Sequence, residues 1–161
     1  MAARMREILK SRSLHVVWYS PWFTELTSRY CLGMSDEGAR VSLITSNSHL
    51  GPRPSTFQSV TYLDAGSSLI GKAREYFKVL LRLITKKPDV FLFDMPSRIL
   101  PLSFCLVAQC LLRNVAVIHD PVPHDVAHLP SKLVQSLQRL SLRLASAGLT
   151  FSMHGAADLR A

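Results

Sequence analysis

A chain of 161 residues is the length of one ordinary domain, with room for a single hydrophobic core. Hydrophobic residues make up 48% against 19% charged, which excludes a disordered polyelectrolyte. The formal net charge of +8 sets up a field that attracts phosphates, acidic headgroups or nucleic acid, without choosing among them.

The chain opens on the basic stretch MAARMREILKSRS, and residues 1–13 are expected to be disordered. The apolar run LHVVWY (14–19) follows and is too short for a signal-peptide core or a membrane span. It reads as the first strand. A helix over 23–37, closed by Gly38, leads to a second strand RVSLITS (40–46). The Ser-, Pro- and Gly-rich stretch SNSHLGPRPSTFQ (46–58) is the candidate flexible insertion, and SVTYL (59–63) the third strand.

In 71–87, Phe77, Leu80, Leu81 and Ile84 recur at helical spacing and predict a core-facing stripe. Arg74, Lys78, Arg82 and Lys86 follow one another at intervals of four on another face. With Lys72, they are the candidate contacts to an anionic surface. DVFLFD (89–94) is a fourth strand, and ILPLSFCLVAQCLL (99–112) is too short to span a bilayer and predicts a buried helix. VAVIH (115–119) makes a fifth strand. Pro130 and Ser131 suit the start of a helix whose stripe is Leu133, Leu137, Leu140, Leu144 and Ala147, and Gly148 suits its end. LTFSM (149–153) completes six strands. Continuous apolar strands alternating with helices predict an α/β fold, a doubly wound and mostly parallel Rossmann-like sheet, in one domain over 1–161.

Ligands of such sheets bind at the carboxyl ends of the strands. The candidate substrate contacts are therefore Ser20 and Pro21 after the first strand, Asp94, Ser97 and Arg98 after the fourth, and His119, Asp120 and His124 after the fifth. The absence of G-x-G-x-x-G, of a P-loop and of a G-x-S-x-G elbow argues against a dinucleotide enzyme, a P-loop ATPase and a serine hydrolase. His119 is either a packed histidine bonded to backbone or a substrate contact, and its place at a strand end favours contact. His119, His124 and His128 in H-D-x-x-x-H-D-x-x-H lack a zinc-protease spacing, and Pro121 and Pro123 keep His124 and His128 off one regular helix. No metal is expected. Cys31, Cys105 and Cys110 form no C-x-x-C pair and read as buried reduced thiols, which points to the cytoplasm. No motif for nucleic acid accompanies the charge, so that partner is not favoured.

The order HVVWYSPWFTELTSRYCLGMSDEGARVSLITS, KKPDVFLFD, VAVIHDPVPHD and AGLTFSMHGAADLRA resembles the N-terminal half of GT-B glycosyltransferases of family 4. IHDPVPH is the most specific part of the resemblance. It implies a retaining transferase in which this half binds a sugar or lipid-linked acceptor. His119, with Asp120 beside it, would be the catalytic strand-end histidine facing the donor sugar. The family's glycine-rich turn is represented here only by YSPWFTEL. Family members carry a second domain that binds the nucleotide-sugar donor through E-x7-E, and Glu7, Glu25, Glu37 and Glu75 include no such pair. The resemblance therefore implies a truncated or split transferase, with no cofactor bound by this domain alone, inactive without a C-terminal donor domain and working in the cytoplasm at the inner face of the membrane. A non-catalytic module that binds membranes through 71–87 is the other reading.

Overall fold

A computed structural model of the chain describes residues 13–21, 24–46, 59–63, 68–118 and 131–150. Six strands form one parallel sheet: β1 (His15–Tyr19), β2 (Arg40–Ser46), β3 (Ser59–Leu63), β4 (Val90–Asp94), β5 (Asn114–Ile118) and β6 (Ala147–Thr150). The described helices are α1 (Thr24–Asp36), α2 (Leu69–Lys86), α3 (Ile99–Leu111) and α4 (Lys132–Leu144). Their order in the sheet is β3-β2-β1-β4-β5-β6, and every pairing is parallel. This is the doubly wound, Rossmann-like arrangement. The segment 1–12, the loop 47–58 and the end of the expected strand 149–153 lie outside the described residues.

Strand order and handedness together decide which face each helix covers. From β1 to β2 the chain steps one way along the sheet, and from β3 through β4 and β5 to β6 it steps the other. Right-handed crossovers then send α1 to one face and α2, α3 and α4 to the opposite one. The buried residues follow this division. Val16, Trp18, Val41, Leu43, Leu92 and Val117 pack with Cys31 of α1. Val17, Tyr19, Ile44, Phe91 and Phe93 pack with Val79 and Leu83 of α2 and with Phe104 and Cys105 of α3. Tyr19, Tyr76 and Phe104 form an aromatic cluster, with the Tyr19 and Tyr76 hydroxyls 2.9 Å apart. Burial pushes both phenols above their usual range.

Helix ends are set locally. Gly38 closes the turn after α1 at φ 93°, a left-handed conformation that suits glycine. Ser68 caps α2 by accepting a hydrogen bond from the Gly71 amide at 3.0 Å. Ser131 does the same for α4, from Val134 at 3.4 Å. The last helix nevertheless departs from expectation. Instead of reaching Ala147, α4 stops at Leu144, and Gly148 lies in β6 opposite Ala116. The Asn114 side-chain oxygen Oδ1 accepts from the Ser146 amide at 3.4 Å and draws the chain into the ladder.

Helix faces also differ from the expected ones. In α2 the inward residues are Tyr76, Val79, Leu80 and Leu83, one position before the predicted stripe, and Phe77, Leu81 and Ile84 are exposed. In α4 the buried residues are Val134 and Ser141, with Leu133, Leu140 and Leu144 exposed. α3 is buried on one side only, as Ile99, Val107 and Leu111 are half exposed. Cys110 is exposed rather than buried.

A buried polar network explains the rotation of α4. Gln109 Nε2 donates to the Ser141 carbonyl at 2.8 Å, and Ser141 Oγ donates to Gln109 Oε1 at 2.7 Å. Asn114 Oδ1 accepts from Gln109 at 3.3 Å, and Asn114 Nδ2 donates to the Gln109 and Leu112 carbonyls at 3.2 and 3.1 Å. Each member is satisfied by another, so the network fixes a single register between α3, β5 and α4. Asn114→Ala takes the side-chain donor from the Gln109 and Leu112 carbonyls and one of the two acceptors from Gln109 Nε2, and urea denaturation should show a loss of about 2–3 kcal/mol.

The thiols provide a second check on packing. Burial pushes Cys31 up to about 12 and Cys105 well above its usual value, with the Asp94 carboxylate adding to both. At about pH 8, Ellman's reagent should titrate Cys110 in the native chain and reach Cys31 and Cys105 only after unfolding.

Candidate functional site

In the strand order the direction of winding changes between β1 and β4, and the carboxyl ends of strands at such a switch point are where doubly wound sheets bind their ligands. Side chains alternate along each strand, so Trp18 and Ser20, Leu43 and Thr45, and Leu92 and Asp94 share the face that α1 covers. The ladder aligns them. Tyr19 pairs with Ile44 and Phe93, the Ser20 amide donates to the Ile44 carbonyl at 2.9 Å, and Asp94 pairs with Val117. One step beyond Tyr19, a row of Thr45, Ser20 and Asp94 therefore crosses three strands at the carboxyl edge.

Asp94 organises the row. It is 2% exposed, and its carboxylate accepts from Trp18 Nε1 at 3.1 Å and from Ser20 Oγ through a short hydrogen bond. Since the single Ser20 proton goes to Asp94, the 2.8 Å contact with Thr27 has the Thr27 hydroxyl donating to Ser20. The chain of donors Thr27, Ser20 and Asp94 ties α1 to both central strands. A buried carboxylate is tolerated only with such partners. Thr45 is the exception in the row. It is 1% exposed, and its Oγ1 has no hydrogen-bond partner among the described residues.

The expected substrate contacts divide into three groups. Ser20, Pro21 and Asp94 are at the carboxyl edge and buried, with Ser20 and Asp94 facing each other. Ser97 and Arg98 are exposed in the turn between β4 and α3, which Gln138 of α4 braces by donating to the Pro96 carbonyl at 2.9 Å. His119, Asp120 and His124 lie outside the described residues, which stop at Ile118, directly after the Val117 that pairs with Asp94. Of the basic row, Arg74, Lys78, Arg82 and Lys86 are exposed along α2 and Lys72 is half-buried, and Lys78 pairs with Glu75 at 2.7 Å. Trp18, Thr27 and Thr45 belong to the edge as well. Sequence position after a strand could not reveal them, because two lie inside strands and one on a helix.

Among solved structures, the UDP-GlcNAc 2-epimerase of Methanocaldococcus jannaschii is similar, with a TM-score of 0.60 and 14% identity over 91% of this chain and 41% of that one. The likeness is one of fold. The chain thus spans less than half the length of the enzyme it resembles. No family model matches the chain, and no curated protein matches it. No helix among the described residues is long and apolar enough to cross a membrane.

Two substitutions separate the tie from the orphan. Asp94→Ala removes the acceptor of two buried donors and should cost about 2–4 kcal/mol in urea denaturation. Thr45→Val replaces a hydroxyl that has no partner among the described residues with a methyl group and should leave stability unchanged or raise it by about 1 kcal/mol.

Proposed function

We infer that the chain is the acceptor-binding half of a GT-B-type enzyme that moves a sugar from a nucleotide-sugar donor to an acceptor. The observation that carries this is the polar row of Thr45, Ser20 and Asp94 at the switch point between β1 and β4, beside the strand that runs into IHDPVPH. Doubly wound sheets bind their ligands at that place. The fold shared with a UDP-GlcNAc 2-epimerase lends support, because an enzyme of that architecture handles a nucleotide sugar.

In this reading Asp94, Ser20 and Thr27 act by position. They hold the ends of β1 and β4 and the start of α1 in one arrangement, so that the loops leaving those strands present their side chains from a rigid edge. Ser97 and Arg98, exposed after β4, supply polar and cationic contacts to the hydroxyls or phosphate of an acceptor. His119 and Asp120, by the resemblance to family 4, face the transferred sugar. Departure of a nucleoside diphosphate requires positive charge or hydrogen-bond donors at the leaving phosphates. In the family those groups belong to the second domain, with its E-x7-E motif.

The purified 161-residue chain should therefore neither transfer sugar from UDP-glucose or UDP-GlcNAc nor epimerise UDP-GlcNAc, as read by release of UDP and by NMR of the sugar. Supplying a family donor domain in trans should restore transfer, and His119→Ala should abolish the restored rate. Turnover by the chain alone would overturn the assignment, with epimerisation favouring a reaction like that of the structural neighbour.

A further inference from the structure

The outer surface of the three-helix layer is built unlike an ordinary solvated surface. α3, the central helix of that layer, has the sequence ILPLSFCLVAQCL and carries no charge, although its outward residues Ile99, Val107 and Leu111 are half exposed, Leu111 at 53%. On α2, besides Leu69 at its first residue, the exposed apolar residues are Ile70, Phe77, Leu81 and Ile84, with Ile70 at 82% and Phe77 at 60%. The spacing of seven, four and three places Ile70, Phe77, Leu81 and Ile84 on one stripe. That stripe adjoins Leu80, which packs on the core, and Tyr76, whose ring lies 5.2 Å from that of Phe104 of α3, so it borders the α3 side. Ile84 also lines one cavity with Leu111 and Leu112, beside Lys87, Asp89 and Arg113, which brings the C-terminal ends of the α2 stripe and of α3 together.

α4 repeats the arrangement in mirror sense. Leu133, Leu140 and Leu144 form an exposed stripe next to Ser141, the residue hydrogen-bonded to Gln109 of α3. Basic residues occupy the outer flank of each neighbouring helix. Arg74 and Lys78 lie on α2, where Arg82 and Lys86 continue the row toward the β2–β3 side and line a cavity with His15 and Ser42, and Lys132, Arg139 and Arg143 lie along α4. Glu75 is the single acid of the three helices. An apolar band one helix wide, extended by a stripe on either side, thus lies between two cationic rails.

We propose that this α2–α3–α4 face docks on the surface of an anionic lipid bilayer. The apolar band enters the boundary between headgroups and acyl chains, and the lysine and arginine rails lie among the acidic headgroups, their stems following the apolar surface. Charge complementarity selects this occupant. A second copy of the chain, docked by a twofold axis through the same face, would set like-charged rails near each other with one Glu to offset them. The proposal concerns a different surface from the carboxyl edge and stands whether or not that edge binds a sugar.

Vesicle sedimentation tests it. The intact chain should cosediment with vesicles of phosphatidylcholine containing about one third phosphatidylglycerol, and bind far less to pure phosphatidylcholine or at about 0.5 M salt. Val107→Ser with Leu111→Ser should weaken binding without changing thermal unfolding, as both side chains face outward. Arg139→Gln with Arg143→Gln, both exposed on α4 opposite its buried residues, should lower the partition coefficient about thirtyfold. If the serine pair fails to fold, Ile70→Ser with Phe77→Ser samples the same band on another helix. Binding indifferent to lipid charge and salt, or no binding at all, would sink the proposal. So would a concentration-dependent dimer in vesicle-free solution that the serine pair dissociates and vesicles do not compete, which would assign the face to a second copy.

Discussion

The right-handed crossover is the constraint on which this architecture turns. A parallel strand cannot follow its neighbour by a tight turn, so each connection must pass over a face of the sheet, and its handedness decides which face. The chain starts at the centre with β1, winds to one edge, returns to β4 and winds to the other edge. The return creates the switch point between β1 and β4. The same rule gathers α2, α3 and α4 on one face, so the polar edge and the apolar helix layer have a common origin.

Within this frame, two buried polar clusters do what apolar packing does poorly, which is to select a single arrangement. Asp94 costs free energy to bury, and the Trp18 and Ser20 donors offset that cost only if β1 and β4 end in register. The Gln109–Asn114–Ser141 network acts likewise between α3 and α4. Ser141 is drawn inward to complete it, although leucines stand on either side. The rotation that satisfies Ser141 turns Leu140 and Leu144 outward, so a hydrogen-bond requirement in the core shapes the apolar surface outside.

The strands were legible because continuous runs of β-branched and aromatic residues between turn signals have few alternatives, and β2 and β3 fall on the expected residues. The helix faces were less so. In α2, Phe77, Leu80, Leu81 and Ile84 satisfy helical spacing as well as Tyr76, Val79, Leu80 and Leu83 do, and periodicity cannot choose between adjacent stripes. The choice lies in the sheet, where Tyr19 offers Tyr76 a hydroxyl partner. At the edge, Ser20 and Asp94 could be picked out by position after a strand. That they face each other, and that Trp18, Thr27 and Thr45 surround them, follows from cross-strand register, which a linear pattern does not contain.

The two surfaces meet at one point of the chain. Arg98, exposed at the carboxyl edge, is the N-cap of α3, and the next residue, Ile99, begins the uncharged helix at the middle of the apolar layer. Helices of a parallel α/β layer run opposite to the strands, so the outer face of α3 stands roughly perpendicular to the carboxyl edge. A bilayer lying against α3 would leave the carboxyl edge facing sideways, close above the headgroups and next to Ser97 and Arg98. An acceptor anchored in the membrane by a lipid chain would then reach that edge without leaving the bilayer, whereas a freely diffusing acceptor would gain nothing from the contact. If both proposed roles hold, their placement on adjoining faces favours the lipid-linked substrate over the soluble one.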